Sequence, residues 1–107
     1  MNGGTNMKAE NILRLSRVGQ ERRNNTNSYK VELKKQLTVR ELMKLILQNS
    51  SELGSIGTIT IGQNGACQYI TYKYGNFSKV DANILERPII MMKASGDVER
   101  MNYFLKV

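Results

Sequence analysis

The chain has 107 residues and a net charge of +7, with sixteen Lys and Arg against nine Asp and Glu, a single Cys and no His. This length holds one domain at most, and it suffices to bury roughly 65% of the unfolded surface without a disulfide or metal staple. The lone Cys67 excludes an intrachain disulfide, the missing His excludes a Ser-His-Asp or Cys-His catalytic set and a zinc site of ordinary ligands, and no apolar run approaches the roughly 20 residues of a membrane span.

The first stretch, "MNGGTNM", is polar and carries two glycines, and it reads as a disordered start. "MNGGTNMKAENIL" has no basic start followed by an apolar block, so it does not read as a signal peptide. Residues 8–20, "KAENILRLSRVGQ", fit a short helix with Ile12, Leu15 and Val18 on one face, Leu13 at its edge and Gly19 as a stop. A helix this short is marginal alone and needs a surface to dock on. "ERRNNTNS" follows as a linker without a hydrophobe.

From Tyr29 the pattern alternates. Tyr29, Val31 and Leu33 face one way, and Lys30, Glu32 and Lys34 the other, which is the signature of a half-buried strand. Thr38 and Glu41 then form a capping box, with Leu37 and Leu42 at the hydrophobic-staple positions. Val39, Leu42, Met43, Ile46 and Leu47 continue at helical spacing, and Gly54 is a natural stop, so a helix is expected over about 39–52. Four strands follow. "TITIG" alternates, Asn64-Gly65 suits a type I′ hairpin turn, and "ACQYITYKY" is β-branched and aromatic. Ile70, Tyr72 and Tyr74 are expected on the core side of that strand, and Tyr69, Thr71 and Lys73 on the other. "FSKVDANILER" reads as a loop or short helical turn, and Pro88 precedes the strand "IIMMKA", which is apolar on both faces. After a turn at Ser95-Gly96-Asp97, "MNYFLKV" sends Met101, Tyr103, Leu105 and Val107 inward.

These elements predict an α+β fold of two layers: one long helix packed on a mostly antiparallel sheet of about five strands, preceded by a short, basic, helical N-terminal segment. The expected organisation is residues 1–28 as the basic segment and 29–107 as the α+β domain.

Chemistry is sparse. Cys67 reads as a buried inert thiol, because activation needs a neighbouring base or helix end. Among the nine carboxylates, Glu41 serves its cap, Glu32 lies on a solvent face, and Asp97 and Glu99 flank a turn. Asp81 and Glu86 are the one close pair, and turn chemistry accounts for them as well as catalysis does, since no third group completes a site. "GSIG" at 54–57 has the GxxG form that clamps phosphates in KH domains, but it joins a helix to a strand and lacks basic middle residues. "GQNG" at 62–65 is a hairpin turn with no P-loop lysine after it. No catalytic residue and no metal or cofactor site is therefore expected.

Charge is the positive signal. Residues 1–40 hold nine basic and three acidic groups, so nearly all of the excess sits in the first two fifths of the chain. Such asymmetry points to a polyanionic or acidic partner, with plain solubility as the competing account. Lys8, Arg14, Arg17, Arg22 and Arg23 can line one side of the first helix and its exit, where arginine forks suit phosphate or carboxylate. Three readings stay open for this stretch: docking on the second face of the sheet through Ile12, Leu13, Leu15 and Val18, a nucleic-acid arm, or a disordered leader. Tyr69 with Lys73 offers a small stacking platform on an otherwise core-directed strand. The candidate set for nucleic acid or an acidic partner is thus Lys8, Arg14, Arg17, Arg22, Arg23, Lys30, Lys34, Tyr69 and Lys73.

From Leu37 onward, "LTVRELMKLI", a hairpin, "NILERPIIMMKASGD" and a closing "YFLKV" resemble short, uncharacterised proteins encoded by phages and integrated mobile elements of Gram-positive bacteria. The likeness covers about two thirds of the chain, and the basic segment before Tyr29 departs from it. It brings no catalytic residues. It implies a binding protein of the bacterial cytoplasm whose partner is a host protein or nucleoprotein complex, with inhibition of a host defence nuclease, in the manner of an anti-CRISPR protein, as one concrete form. The alternative is a nucleic-acid-binding accessory protein using the basic N-terminal segment. Neither reading involves a membrane or a small-molecule substrate.

Overall fold

Alternation of apolar and polar residues governs more of this chain than helical periodicity does. The computed structural model describes residues 11–21, 26–63, 65, 68–97 and 99–107. Within them the order is β1 (Leu13–Glu21), β2 (Thr26–Leu33), α1 (Val39–Gln48), α2 (Ser50–Leu53), β3 (Ile56–Gly62), β4 (Tyr69–Lys73), a 3-10 turn at Phe77–Lys79, α3 (Ala82–Leu85), β5 (Met91–Gly96) and β6 (Met101–Lys106). The six strands form one sheet in the order β1-β2-β5-β6-β3-β4. All neighbours are antiparallel except β3 and β6, which run parallel.

The expected fold class is thereby corrected. Among the described residues 48% are strand and 25% helix, the sheet is mixed and six-stranded, and no long helix packs on it. Two physical causes stand out. First, the expected helix over 39–52 breaks at Asn49, whose backbone leaves the helical region (φ −121°, ψ 37°). The Asn49 side-chain amide donates to the Leu45 carbonyl at 2.8 Å, and residues 50–53 form a separate single turn ended by Gly54 at φ 82°. Second, residues 13–21 are a strand and not a helix. Leu13 and Leu15 alternate with Arg14 and Ser16, and β1 pairs along β2 from Leu13↔Leu33 to Glu21↔Thr26. Pairing partners thus override a helical spacing that had no surface of its own to bind. The boundary expected between residues 28 and 29 falls inside β2. β1 does not dock on the second face of the sheet; it extends the sheet sideways. A register shift between Arg17 and Gly19 leaves Val18 exposed rather than pinned.

The start of α1 is as expected. The Thr38 hydroxyl accepts from the Glu41 N–H at 3.2 Å, and the Thr38 N–H donates to Glu41 Oε1 at 2.9 Å. That backbone N–H holds the Glu41 carboxyl below its ordinary range. Val39, Leu42, Met43, Leu45 and Ile46 of α1 join Ile12, Leu13, Val31, Ile59, Ile61, Met92, Ala94, Tyr103 and Leu105 in one buried cluster. Each such fully buried aliphatic or aromatic side chain contributes on the order of 1.5–3 kcal/mol. Tyr103, on the strand between β5 and β3, is the largest of them. Its hydroxyl donates to the Leu53 carbonyl at 3.0 Å, and burial pushes its pKa up to about 12. Among the described residues, no helix is long and apolar enough to cross a membrane.

Candidate nucleic-acid interface

The cluster occupies one face of the sheet, and alternation sends every second strand residue to the other. Register across the strands fixes what that second face carries. Ser16 stands opposite Lys30, Lys30 opposite Lys93, Lys93 opposite Phe104, Phe104 beside Thr60, and Thr60 opposite Thr71. One step along the strands, Met91 pairs with Lys106, Lys106 with Gly62, and Gly62 with Tyr69. On the other side of the first row, Ser95 pairs with Asn102, Asn102 with Thr58, and Thr58 with Lys73. Arg14, opposite Glu32, completes the face near β1.

Most of this surface is a low floor of Ser, Thr, Asn and Gly. It is tied together by the Thr58 hydroxyl donating to Asn102 Oδ1 at 2.8 Å and by a 2.9 Å bond between the Thr60 and Thr71 hydroxyls. Out of the floor stand Phe104, 44% exposed, Met91, 46% exposed, and Tyr69, 62% exposed. Arg100 lies over the same floor: a Cβ on Gly57 would fall 2.5 Å from its Cγ. The cations of the face are therefore Arg14, Lys30, Lys73, Lys93, Arg100 and Lys106. Among the described residues none of the six is held in an ion pair, and Glu32 is the one carboxylate that β2 to β6 place on this side. Lys30 and Lys93 sit directly opposite on neighbouring strands, an arrangement of like charges that costs stability.

The expected site residues divide accordingly. Arg14, Lys30, Tyr69 and Lys73 come together on the open face. Arg17 stands opposite Tyr29, on the other side of the sheet, and Lys34 lies just past the end of β2. Lys8, Arg22, Arg23 and Cys67 fall outside the described residues. Lys93, Arg100, Phe104 and Lys106 were not singled out from sequence. The signal for two of them was present: if Met101, Tyr103 and Leu105 point inward, Phe104 and Lys106 must point outward. Ile70, on the edge strand β4, and Tyr74, just past its end, were expected toward the core and are 54% and 65% exposed.

Comparisons with protein-family models, curated proteins and solved structures found no match. The site is therefore read from its own chemistry.

The carboxylates that sequence grouped as a pair have structural employment. Asp81 caps α3 by accepting from the Asn83 N–H at 2.7 Å, and Glu86 pairs with Arg40 at 2.7 Å. Asp97 accepts from the N–H groups of Glu99 and Arg100 and so holds the β5–β6 turn. Among the described residues no three potential metal ligands cluster. The depression between β4 and α3, lined by Ile61, Gln63, Gln68, Ile70, Tyr72 and Ile84, contains no ionisable group other than the Tyr72 phenol.

Proposed function

We propose that this is a non-catalytic binding protein that holds nucleic acid against the open face of its sheet. One observation carries the reading: Lys30 and Lys93 are juxtaposed with neither held in an ion pair among the described residues, and Lys93 adjoins an exposed Phe104 on a central strand. Like charges placed side by side lower the stability of the free protein, and a phosphate between them relieves that cost. Six cations on one face give the electrostatic footprint that phosphate binding requires. Measurement of affinity by fluorescence anisotropy over a salt series tests it. If about four phosphates are contacted, log K should fall with log salt at a slope of about −3 to −4. The double variant Lys30→Glu, Lys93→Glu should lose binding. A salt-independent affinity, or a charge-reversed variant that binds as the wild type does, overturns the reading.

A second reading draws on Met91 and Phe104, diagonal neighbours that are both exposed and apolar, which phosphates alone would not use. In it, the face meets a host protein that carries nucleic acid, and the chain is a mobile-element protein inhibiting a defence nuclease in the bacterial cytoplasm. Pull-down from a bacterial lysate with and without nuclease treatment separates the two: a partner retained after nuclease digestion favours the protein contact.

A further inference from the structure

We propose that the bound nucleic acid is a single strand whose unpaired bases lie on Tyr69 and Phe104 while its phosphates follow Lys93, Lys30 and Lys106. This rests on the nucleic-acid reading above and names the ligand within it.

The floor supplies the first argument. Strand β3 presents Gly57, Thr58, Thr60 and Gly62 to this face, and two larger side chains from neighbouring elements fold over its two glycines. A Cβ on Gly62 would lie 2.3 Å from Cε1 and 2.5 Å from Cδ1 of Tyr69. Only glycine leaves the Tyr69 ring room to lie across the strand backbone. One side of the ring is thus seated on β3, and its 62% exposure leaves the other side open to solvent. Gly57 hosts the Arg100 stem in the same way. Between them Phe104 rises beside Thr60.

Spacing supplies the second. From Gly57 to Gly62 is about 16 Å along β3, and Arg100, Phe104 and Tyr69 stand in succession over that length. A ring above Gly62 is one strand and two residues from Phe104, hence roughly 8 Å away, a separation that suits consecutive splayed bases and is far wider than stacked neighbours in a duplex. Lys93 is the direct neighbour of Phe104, and Lys106 is two residues along β6 from it, so cations run beside the rings on the β5 side. The bases and the sugar-phosphate chain are thereby given separate tracks.

Shape supplies the third. A duplex hides its base faces and is entered through a groove by a projecting helix, ribbon or arm. This face projects none among the described residues. Between a duplex and a single strand, only the latter offers free base faces to its exposed rings, and aromatic stacking on such bases contributes regardless of sequence.

The test uses the full chain, labelled thymidine and uridine oligonucleotides of about ten nucleotides, and a blunt DNA duplex. Both single strands are expected to bind more tightly than the duplex. Phe104→Ala and Tyr69→Ala should each weaken single-strand affinity roughly 5- to 100-fold while leaving the salt slope and the duplex affinity unchanged. Phe104→Tyr keeps the ring and should restore binding. Circular dichroism checks that these exposed-site variants keep the wild-type fold. Alanine variants that bind single strands as the wild type does, or a duplex bound as tightly as a single strand, overturn the stacking proposal and leave phosphate binding standing. Failure of every nucleic acid to bind at low salt overturns the nucleic-acid reading itself, so the two failures are told apart.

Discussion

Gly96→Ala should cost this protein a large part of its stability. Gly96 ends β5 with a φ of 138°, in a region that side chains rarely adopt. A Cβ there would stand 2.2 Å from the Arg100 carbonyl oxygen, 3.0 Å from the Met101 Cα and 3.2 Å from the Arg100 carbonyl carbon. All three are backbone atoms, of Met101, which Gly96 pairs with, and of Arg100 just before it, so no flexible side chain can move aside. The turn is also held from within by Asp97, whose carboxylate accepts two N–H groups. The backbone conformation alone costs about 1–3 kcal/mol. Relieving the clash requires opening the end of the hairpin, at about 1 kcal/mol for each backbone hydrogen bond given up. The sum, roughly 3–5 kcal/mol, is a large share of the 5–15 kcal/mol typical of a domain. At about 4 °C or more per kcal/mol for this size, the melting temperature should fall by roughly 15 °C or more. Thermal and urea denaturation followed by circular dichroism measure this. Gly75→Ala is the control: its φ is 98° but nothing lies within 4 Å of the added Cβ, so only the backbone cost of about 1–2 kcal/mol applies. If Gly96→Ala loses no more stability than Gly75→Ala, the reasoning from close backbone approach fails. The same turn sets the register that places Lys93 against Phe104, so the binding face depends on it.

Two further outcomes follow from the core. Tyr103→Phe leaves the Leu53 carbonyl without its donor and should cost about 1–3 kcal/mol at neutral pH. The raised pKa favours the neutral phenol in the folded state, so the wild type keeps this contribution below pH 10 and loses it as pH climbs through about 12. Urea midpoints should therefore fall more steeply between pH 10 and 12 in the wild type than in Tyr103→Phe, and parallel curves would refute the assignment. Leu13→Ala should destabilise by about 2–5 kcal/mol, since Leu13 is 2% exposed in the common core. A loss below about 0.5 kcal/mol, the range of surface substitutions, would show that β1 is not part of that core.

Residues 37–48 were legible because independent local signals coincide there: a capping box, a staple pair and an apolar stripe. β2 and β6 were legible from clean alternation. The N-terminal stretch misled for a physical reason. Ile12, Leu15 and Val18 recur every three residues, while Leu13 and Leu15 alternate, and seven residues cannot decide between the two periods. β2 decided it, through contacts that no local pattern displays. The Asn64-Gly65 pair suggested a type I′ hairpin turn; β3 and β4 pair antiparallel as a hairpin requires, with Gly62 opposite Tyr69, and Asn64 lies outside the described residues. As for the site, Tyr69 and Lys73 could be placed on the open side by alternation alone. Phe104 and Lys106 obeyed the same rule. What the sequence did not disclose was that β6 would lie inside the sheet, between β5 and β3, so that their outward side chains form its middle.

That position of β6 has a kinetic consequence. β1, β2 and β5 on one side and β3 and β4 on the other meet through this strand alone, and its parallel bond to β3 joins Ile56 to Met101, 45 positions apart. Closing so long a connection costs chain entropy before any contact repays it, which places folding with the slower, topologically complex domains rather than with helical bundles. Without that strand in place, no surface exists on which Phe104, Arg100 and Tyr69 stand in line. Recognition competence should thus appear in refolding experiments together with the final cooperative step and not ahead of it.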